Sequence, residues 1–216
     1  MKKINKFFEH GNKNPKHLVI FLHGYGSNGE DLIALAPEFQ SAVKDAYFIS
    51  PNAPMELPIH FFAGYQWFEL ENRDPKIMYP QIIQANNFLD DFIKEQLERF
   101  KLTYKDLIFI GFSQGGMMAL YNSLRAKQQA KATICLSGRF ISPKDLGEKI
   151  NSKPEICLIH GKDDEVVHFE HFLQSKTDLT KVGVDFEAHE IDNLGHSINF
   201  AVVKRVREFL TKITDE

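Results

Sequence analysis

The chain has 216 residues, of which 43% are hydrophobic and 25% charged, and its formal net charge at pH 7 is −3. This balance is typical of one globular domain with enough apolar material for a core, so we predict a single domain over residues 1–216. The negative charge argues against a nucleic-acid partner, because phosphate binding needs concentrated Lys and Arg. Cys135 and Cys157 stand inside apolar runs, and we interpret them as buried thiols rather than as a disulfide.

The start of the chain does not resemble a targeting segment. Residues 2–6 are basic, but Phe7 and Phe8 give way at once to polar residues, so the apolar stretch of a signal peptide is missing. No apolar run is long enough to cross a bilayer. We therefore expect a cytoplasmic protein with no integral membrane segment.

Strand and helix patterns alternate through the first part of the chain. Residues 4–8 suit a short edge strand, and the continuous apolar run at 17–22 predicts a strand buried on both faces. A glycine-rich loop follows at 23–29. Apolar residues then recur at helical spacing between 32 and 43, and residues 46–50 predict another short strand.

Residues 54–79 form the least regular stretch of the sequence. Five aromatic residues crowd into positions 61–68, and the stretch holds prolines at 54, 58 and 75, a composition that indicates a loop. Such a loop either covers a core or forms the wall of an apolar cleft. An amphipathic pattern follows and predicts a long helix over residues 82–97.

The chain is centred on a G-x-S-x-G motif around Ser113. An apolar run at 107–110 predicts a strand that enters the motif, and residues 117–121 predict a helix that leaves it. A strand, a sharp turn at one serine and then a helix is the context of a nucleophile elbow. The motif alone is weak, because glycine-rich turns with an ordinary serine also occur by chance.

The alternation continues to the end of the chain. Residues 132–136 and 156–159 predict strands, 168–181 a helix, 184–191 a strand and 202–213 a closing amphipathic helix. This order predicts an α/β fold with a mainly parallel central sheet and helices on both faces. In such sheets, functional sites form at the carboxyl ends of the strands.

Two strand-end loops supply partners for the serine. A serine hydroxyl needs a base to take its proton, and the base needs an acid to orient it. Asp163 and Asp164 follow the strand that ends at 159, and His196 lies in the loop after the strand that ends at 191, close to Asp192. The order serine, acid, histidine is that of the α/β-hydrolases. The pattern itself leaves open which of the two aspartates is the acid, while Asp192 better suits a turn.

Several motifs together give a resemblance that runs nearly end to end. The chain resembles the phospholipase/carboxylesterase group of α/β-hydrolases, which includes the acyl-protein thioesterases. This resemblance implies an α/β-hydrolase fold with no large cap domain. The matching segments are residues 22–26 with Asp31 and Leu32, 50–54, 67–70, 111–116, 160–164 and 195–196.

The resemblance also implies specific roles for five residues. It gives a catalytic triad of Ser113, Asp164 and His196. It places the oxyanion hole at the backbone amides of Tyr25 and Gln114, in agreement with the general geometry of the fold. Loss of one such donor typically costs about 3 kcal/mol of transition-state stabilisation.

The acid loop departs from the family pattern. The family usually has a proline directly after the catalytic aspartate and often a second one three residues later, where this chain has Glu165 and His168. The geometry of the loop is therefore open to change, although we expect the triad to persist. We expect His160 to be a core histidine with its hydrogen bonds satisfied, and His23 to brace its loop.

The irregular stretch and its neighbouring loops supply candidates for an acyl pocket, since acyl chains bind between apolar walls. The alternative is that these side chains only cover the core. The candidate pocket residues are Leu32, Leu57, Phe61, Phe62, Trp67 and Phe140.

Together these observations predict a serine hydrolase that cleaves carboxylic esters or thioesters through an acyl-enzyme. The substrate is then a small-molecule ester or thioester, or a lipid-like acyl compound. The alternatives are a lysophospholipase that prefers long chains and a non-catalytic binding protein of the same fold. No histidine or cysteine spacing predicts a metal, and we expect no cofactor. A homodimer is possible from the resemblance alone.

Overall fold

The computed structural model describes residues 3–57, 64–141 and 150–214. Within these residues the strands are β1 (Phe7–Gly11), β2 (His17–Leu22), β3 (Ala46–Pro51), β4 (Met55–Glu56), β5 (Tyr65–Gln66), β6 (Leu107–Phe112), β7 (Ala132–Leu136), β8 (Glu155–Gly161) and β9 (Glu187–Ile191). The α-helices are α1 (Gly29–Ile33), α2 (Ala36–Phe39), α3 (Pro75–Phe100), α4 (Gln114–Arg125), α5 (Phe169–Lys181) and α6 (Phe200–Thr214).

Seven of the described strands form one sheet in the order β1-β3-β2-β6-β7-β8-β9. β1 pairs antiparallel with β3, and every other neighbouring pair in this sheet is parallel. β4 and β5 form a separate two-stranded ladder. The prediction of a mainly parallel sheet is therefore confirmed.

Apolar residues on both faces of the central strands hold the helices in place. Along β2, Leu18 and Ile20 face one core cluster, while Val19 and Phe21 face the other. The first face is covered by α3 and α4, with α5 beside them, and the second by α1, α2 and α6. Because both faces are covered, these strands are continuous apolar runs rather than alternating ones.

Several elements differ from their predicted bounds. The edge strand predicted over 4–8 covers Phe7–Gly11. The helical pattern over 32–43 is two short helices, and Pro37 lies in the first turn of the second one. The long helix starts at Pro75 rather than at 82, because the side chain of Asp74 caps it by accepting from the amide of Lys76. The strand predicted over 184–191 begins only at Glu187.

Both cysteines are buried free thiols, as the sequence indicated. Burial raises the pKa of Cys135 to about 12 and also raises the pKa of Cys157. In the part of the chain that the structure describes, no helix is both long enough and apolar enough to span a membrane.

The sheet order brings the candidate loops together. β2, β6, β7, β8 and β9 are consecutive parallel neighbours, so the loops after all five strands lie along one edge of the sheet. This is the edge at which open α/β sheets bind ligands.

Candidate active site

Ser113 lies at the turn between β6 and α4 with an unusual backbone conformation. Its φ is 54° and its ψ is −118°, and it stands at the N-cap of α4. Such a conformation costs a residue with a side chain about 1–3 kcal/mol, and it persists only where the surroundings impose it. Here the Ser113 amide donates to the Leu136 carbonyl at 2.8 Å, and the Ser113 carbonyl accepts from the Met117 amide at 3.1 Å.

The glycines of the motif are required by close contacts between backbones. A Cβ at Gly111 would lie 2.3 Å from the carbonyl oxygen of Gly115. A Cβ at Gly115 would lie 1.9 Å from the carbonyl oxygen of Leu22. The helix therefore folds back on β6 and β2 only because both positions lack a side chain.

His196 connects the serine to an acid. Its Nε2 lies 2.9 Å from Ser113 Oγ, and its Nδ1 lies 2.7 Å from Asp164 Oδ2. A carboxylate only accepts, so Nδ1 carries the proton and Nε2 is free to accept from the serine hydroxyl. The ring packs beside Phe112 with 4.8 Å between ring centroids, and its side chain is 16% exposed.

Asp164 is the aspartate that the fold brings to His196. Its side chain is fully buried, and its Oδ1 accepts from the backbone amides of Val166 and Val167 at 2.9 and 2.8 Å. Asp163, the alternative left open by the sequence, is exposed and contributes only its amide, which donates to the Leu194 carbonyl. The other alternative, Asp192, is exposed and pairs with a surface lysine.

The departures from the family pattern leave this loop ordered. Glu165 and His168 are both exposed. The two amide hydrogen bonds to Asp164 hold the turn that follows it. These bonds fix the backbone at a point where other members of the family have a proline.

His160 makes a contact that the sequence did not indicate. It is buried, and its Nε2 donates to the Val167 carbonyl at 2.8 Å while lying 3.3 Å from Asp164 Oδ2. Burial among apolar groups lowers the pKa of His160, which favours the neutral ring. The expected core histidine thus also borders the acid.

His23 fixes the loop that carries Tyr25. Its Nδ1 donates to the Gly24 carbonyl at 2.7 Å, and its Nε2 accepts from the Ala53 amide at 2.9 Å. Nε2 can accept only in the neutral ring, and burial lowers the pKa of His23 to about 4. The loop passes close to the serine, since a Cβ at Gly24 would lie 3.3 Å from Ser113 Cβ.

The side chain of Gln114 holds the same region from the other side. It is fully buried, with Oε1 accepting from the Trp67 amide at 2.8 Å and Nε2 donating to the Phe68 carbonyl at 2.7 Å. Trp67 in turn donates its Nε1 proton to the His23 carbonyl at 3.0 Å. Only the backbone amide of Gln114 was singled out from the sequence; nothing in its local pattern predicts this side-chain pairing.

A cleft of about 580 Å³ opens beside the serine. Tyr25, Ser113, Gln114 and His196 all line it, so the structure brings the predicted triad serine and histidine together with both predicted oxyanion residues. Its apolar lining consists of Leu70, Met78, Met117, Val166 and Val167.

Four of the predicted pocket residues do not line this cleft. Among the described lining of this cleft, Leu32, Trp67 and Phe140 are absent, because all three are buried in the core. Leu57 is also buried and borders a separate depression. These four residues fit the alternative in which the side chains cover the core. Phe61 and Phe62 lie outside the residues that the structure describes.

No cluster of three or more His, Cys, Asp or Glu side chains in the described ranges is suited to hold a metal ion.

Comparisons with known proteins show the family of the chain. The family model for phospholipase/carboxylesterase matches residues 5–214. Acyl-protein thioesterase 1 homolog 1 of Dictyostelium discoideum is 27% identical over 206 residues, which cover 90% of this chain and 89% of that protein. Esterase YpfH of Escherichia coli is 26% identical over 196 residues, which cover 87% of this chain and 78% of that protein.

A solved structure, that of esterase PE8, is also similar. It superposes with a TM-score of 0.89 at 35% identity and covers 99% of this chain and 100% of its own. The predictions of an α/β-hydrolase fold and of an enzyme that hydrolyses esters or thioesters are thereby confirmed. The chain belongs to the phospholipase/carboxylesterase family.

Proposed function

We propose that this hydrolase works through an acyl-enzyme formed on Ser113, with His196 as the base and Asp164 as the acid that orients it. One observation carries the proposal: an unbroken hydrogen-bond chain runs from Ser113 Oγ through both ring nitrogens of His196 to Asp164 Oδ2. This is the arrangement by which a hydroxyl of ordinary acidity becomes a nucleophile.

In the first half of the reaction, Ser113 Oγ attacks the carbonyl carbon of the substrate while its proton passes to His196 Nε2. The buried carboxylate of Asp164 stabilises the resulting imidazolium. His196 then gives the proton to the leaving alcohol or thiol, and the bond to the leaving group breaks. Water repeats the sequence on the acyl-enzyme and releases the carboxylic acid and the free serine.

The oxyanion of each tetrahedral intermediate needs fixed donors. We assign this role to the backbone amides of Tyr25 and Gln114. Gln114 is the first residue of α4, so its amide stands at the positive end of a helix of 12 residues. The brace at His23 and the clamp formed by the Gln114 side chain hold the two segments in place before substrate arrives, which is the preorganisation that makes such donors effective.

The apolar lining supports an acyl substrate, because Leu70, Met78 and Met117 offer no strong polar group to compete with it. We propose that the substrate is an ester or thioester whose acyl group lies on this surface. Ethyl esters and thioesters of increasing acyl length would determine the preferred chain. A maximum at two to four carbons favours a small ester, and a maximum at long chains favours the lysophospholipase alternative.

The decisive experiment replaces the nucleophile. We expect Ser113→Ala to lose about 10⁶-fold in kcat and to resist labelling by a fluorophosphonate probe. Ser197→Ala is the matched control, since Ser197 is exposed beside His196 and should leave both activity and labelling intact. Undiminished ester hydrolysis by Ser113→Ala would overturn the proposal, and failure of the wild-type chain to label would favour the non-catalytic alternative.

We also propose that the protein acts as one domain in the cytoplasm. Two buried free thiols support a reducing compartment.

A homodimer stays a prediction, which analytical ultracentrifugation of the purified chain would test.

A further inference from the structure

The cleft beside Ser113 carries positive charges that the proposed reaction does not use. Arg73 and Arg139 both line it, together with His171 and Glu71. A cleft that only had to bind an acyl chain would not need two guanidinium groups in its lining, since acyl chains bind against apolar walls.

Arg139 belongs to the loop that follows β7 and supports the nucleophile. Its neighbour Gly138 packs so closely that a Cβ there would lie 2.9 Å from the Ser113 carbonyl oxygen. The guanidinium donates to the sulfur of Met78 at 3.4 Å, and sulfur is a weak acceptor. The position of Arg139 is thus tied to the backbone of the nucleophile, while most of its five N–H donors remain available.

Arg73 also lines this cleft. Its Nη1 donates to the Val166 carbonyl at 3.3 Å, and the amide of Val166 donates to Asp164. Arg73 is exposed. One arginine is therefore held by the nucleophile loop and the other by the acid loop.

Neither arginine has a carboxylate partner within 4.0 Å in the described ranges 3–57, 64–141 and 150–214, where every ion pair involves other residues. Glu71 is exposed and pairs with neither. His171 is not an anion in either protonation state, and burial and the nearby Arg139 lower its pKa, which favours the neutral ring. Burial and the positive charge of Arg73 lower the pKa of Arg139, so the two guanidinium groups repel each other.

We infer that Arg73 and Arg139 form a subsite for an anionic group of the substrate, so that the preferred substrate is an ester or thioester that carries a carboxylate or a phosphate. This inference rests on the proposed function, since it names the substrate class of the same site. An anion between the two guanidinium groups relieves their mutual repulsion and forms charge-assisted hydrogen bonds with donors that otherwise face solvent.

The carboxylate and the phosphate are distinguished by two pairs of substrates. Monoethyl glutarate and ethyl pentanoate differ by a carboxylate on the acyl side. 1-Butyrylglycerol 3-phosphate and 1-butyrylglycerol differ by a phosphate on the alcohol side. Hydrolysis of each is followed by chromatography of the released acid, and we expect kcat/KM to be at least about 10-fold higher for the anionic member of one pair.

Variants then locate the preference. We expect Arg139→Gln and Arg73→Gln each to lower kcat/KM for the anionic ester by about 10-fold or more, while changing that for its neutral partner by less than about 3-fold. Arg139→Lys should keep part of the preference, because it keeps the charge. Arg205→Gln is the control, since Arg205 pairs on the surface of α6 with Glu208. Thermal melts establish whether each variant is folded. If Arg139→Gln does not fold, Arg73→Gln tests the inference by itself.

The outcomes separate this inference from the proposed function. If the wild-type enzyme cleaves the neutral esters as well as the anionic ones, the subsite is wrong and the Ser113 chemistry stands. A preference for anions that survives both arginine variants also overturns the subsite. If none of the four esters turns over and Ser113 does not label, the proposed function fails and this inference fails with it.

Discussion

Ser113 combines a strained backbone with the hydroxyl that we propose as the nucleophile, and variants can separate the two features. Its φ of 54° and ψ of −118° suit glycine better than any residue with a Cβ. We expect Ser113→Gly to be more stable than Ser113→Ala by about 1 kcal/mol, because both lose the hydroxyl but only glycine removes the strain.

In a protein of this size the difference corresponds to a rise of roughly 2–4 °C in Tm, which differential scanning calorimetry resolves. Both variants should be inactive. Equal melting temperatures for the two would contradict the claim that strain is stored at the elbow.

The two adjacent aspartates provide a matched pair for the acid. We expect Asp164→Asn to lower kcat by about 10³- to 10⁴-fold, because an amide cannot stabilise the imidazolium and favours the wrong tautomer of His196. Asp163→Asn should keep nearly full activity, since Asp163 is exposed and only its backbone amide is used. Steady-state kinetics on one ester compares the two, and a larger loss in Asp163→Asn would reverse our assignment.

At the scale of elements, helix α4 is fixed at its first residue by a side chain rather than by the sheet alone. Gln114 pairs with the backbone of residues 67 and 68 as a neighbouring strand would, and this pairing joins α4 to the segment that supports the His23 loop. The clamp explains why a polar side chain is fully buried beside the nucleophile.

We expect Gln114→Met to lower the free energy of unfolding by about 2–5 kcal/mol, because two buried backbone groups would lose their partners without any change in side-chain length. Urea denaturation measures the difference. Gln174→Met, at an exposed position on α5, should stay within about 0.5 kcal/mol of the wild type. A similar small effect at Gln114 would show that water replaces the clamp.

At the scale of the whole molecule, buried neutral histidines make stability depend on pH. The pKa of His23 is lowered by burial to about 4, and that of His160 is also lowered. Below the ordinary histidine pKa of about 6.5, the unfolded chain takes up protons that the folded chain does not, so stability falls as the pH is lowered from about 6.5 towards 4.

For His23 alone, we expect a loss of about 1 kcal/mol between pH 7 and pH 5.5. Urea titrations at several pH values measure the slope. His23→Asn should reduce the slope whatever its absolute stability, because the titrating group is gone. A folded state that becomes more stable over this interval would contradict the neutral tautomer described for His23.

Much of the architecture was predictable because it depends on local patterns. The buried strands β2, β6 and β7 are continuous apolar runs, and the G-x-S-x-G turn has glycines where backbones touch. The chain order of serine, acid and histidine then indicated where the partners lie. The start of α3 was misplaced although Met78 continues the apolar spacing of Ile82 and Ala85. Pro80 lies inside the helix, and a proline at that point usually indicates a break in a helical pattern.

The sequence by itself determined the fold class, and it indicated the nucleophile that we propose and the loops that carry the proposed acid and base, since each follows from periodicity or from residues close together in the chain. Only the tertiary structure chose Asp164 over Asp163, buried Trp67 and Leu32 in the core, and brought Arg73 and Arg139 into one cleft. These outcomes depend on contacts such as Trp67 with Gln114, 47 residues apart, and Arg73 with Val166, 93 residues apart. Contacts of that separation are set by how the helices pack on the sheet, and no local pattern in the chain encodes them.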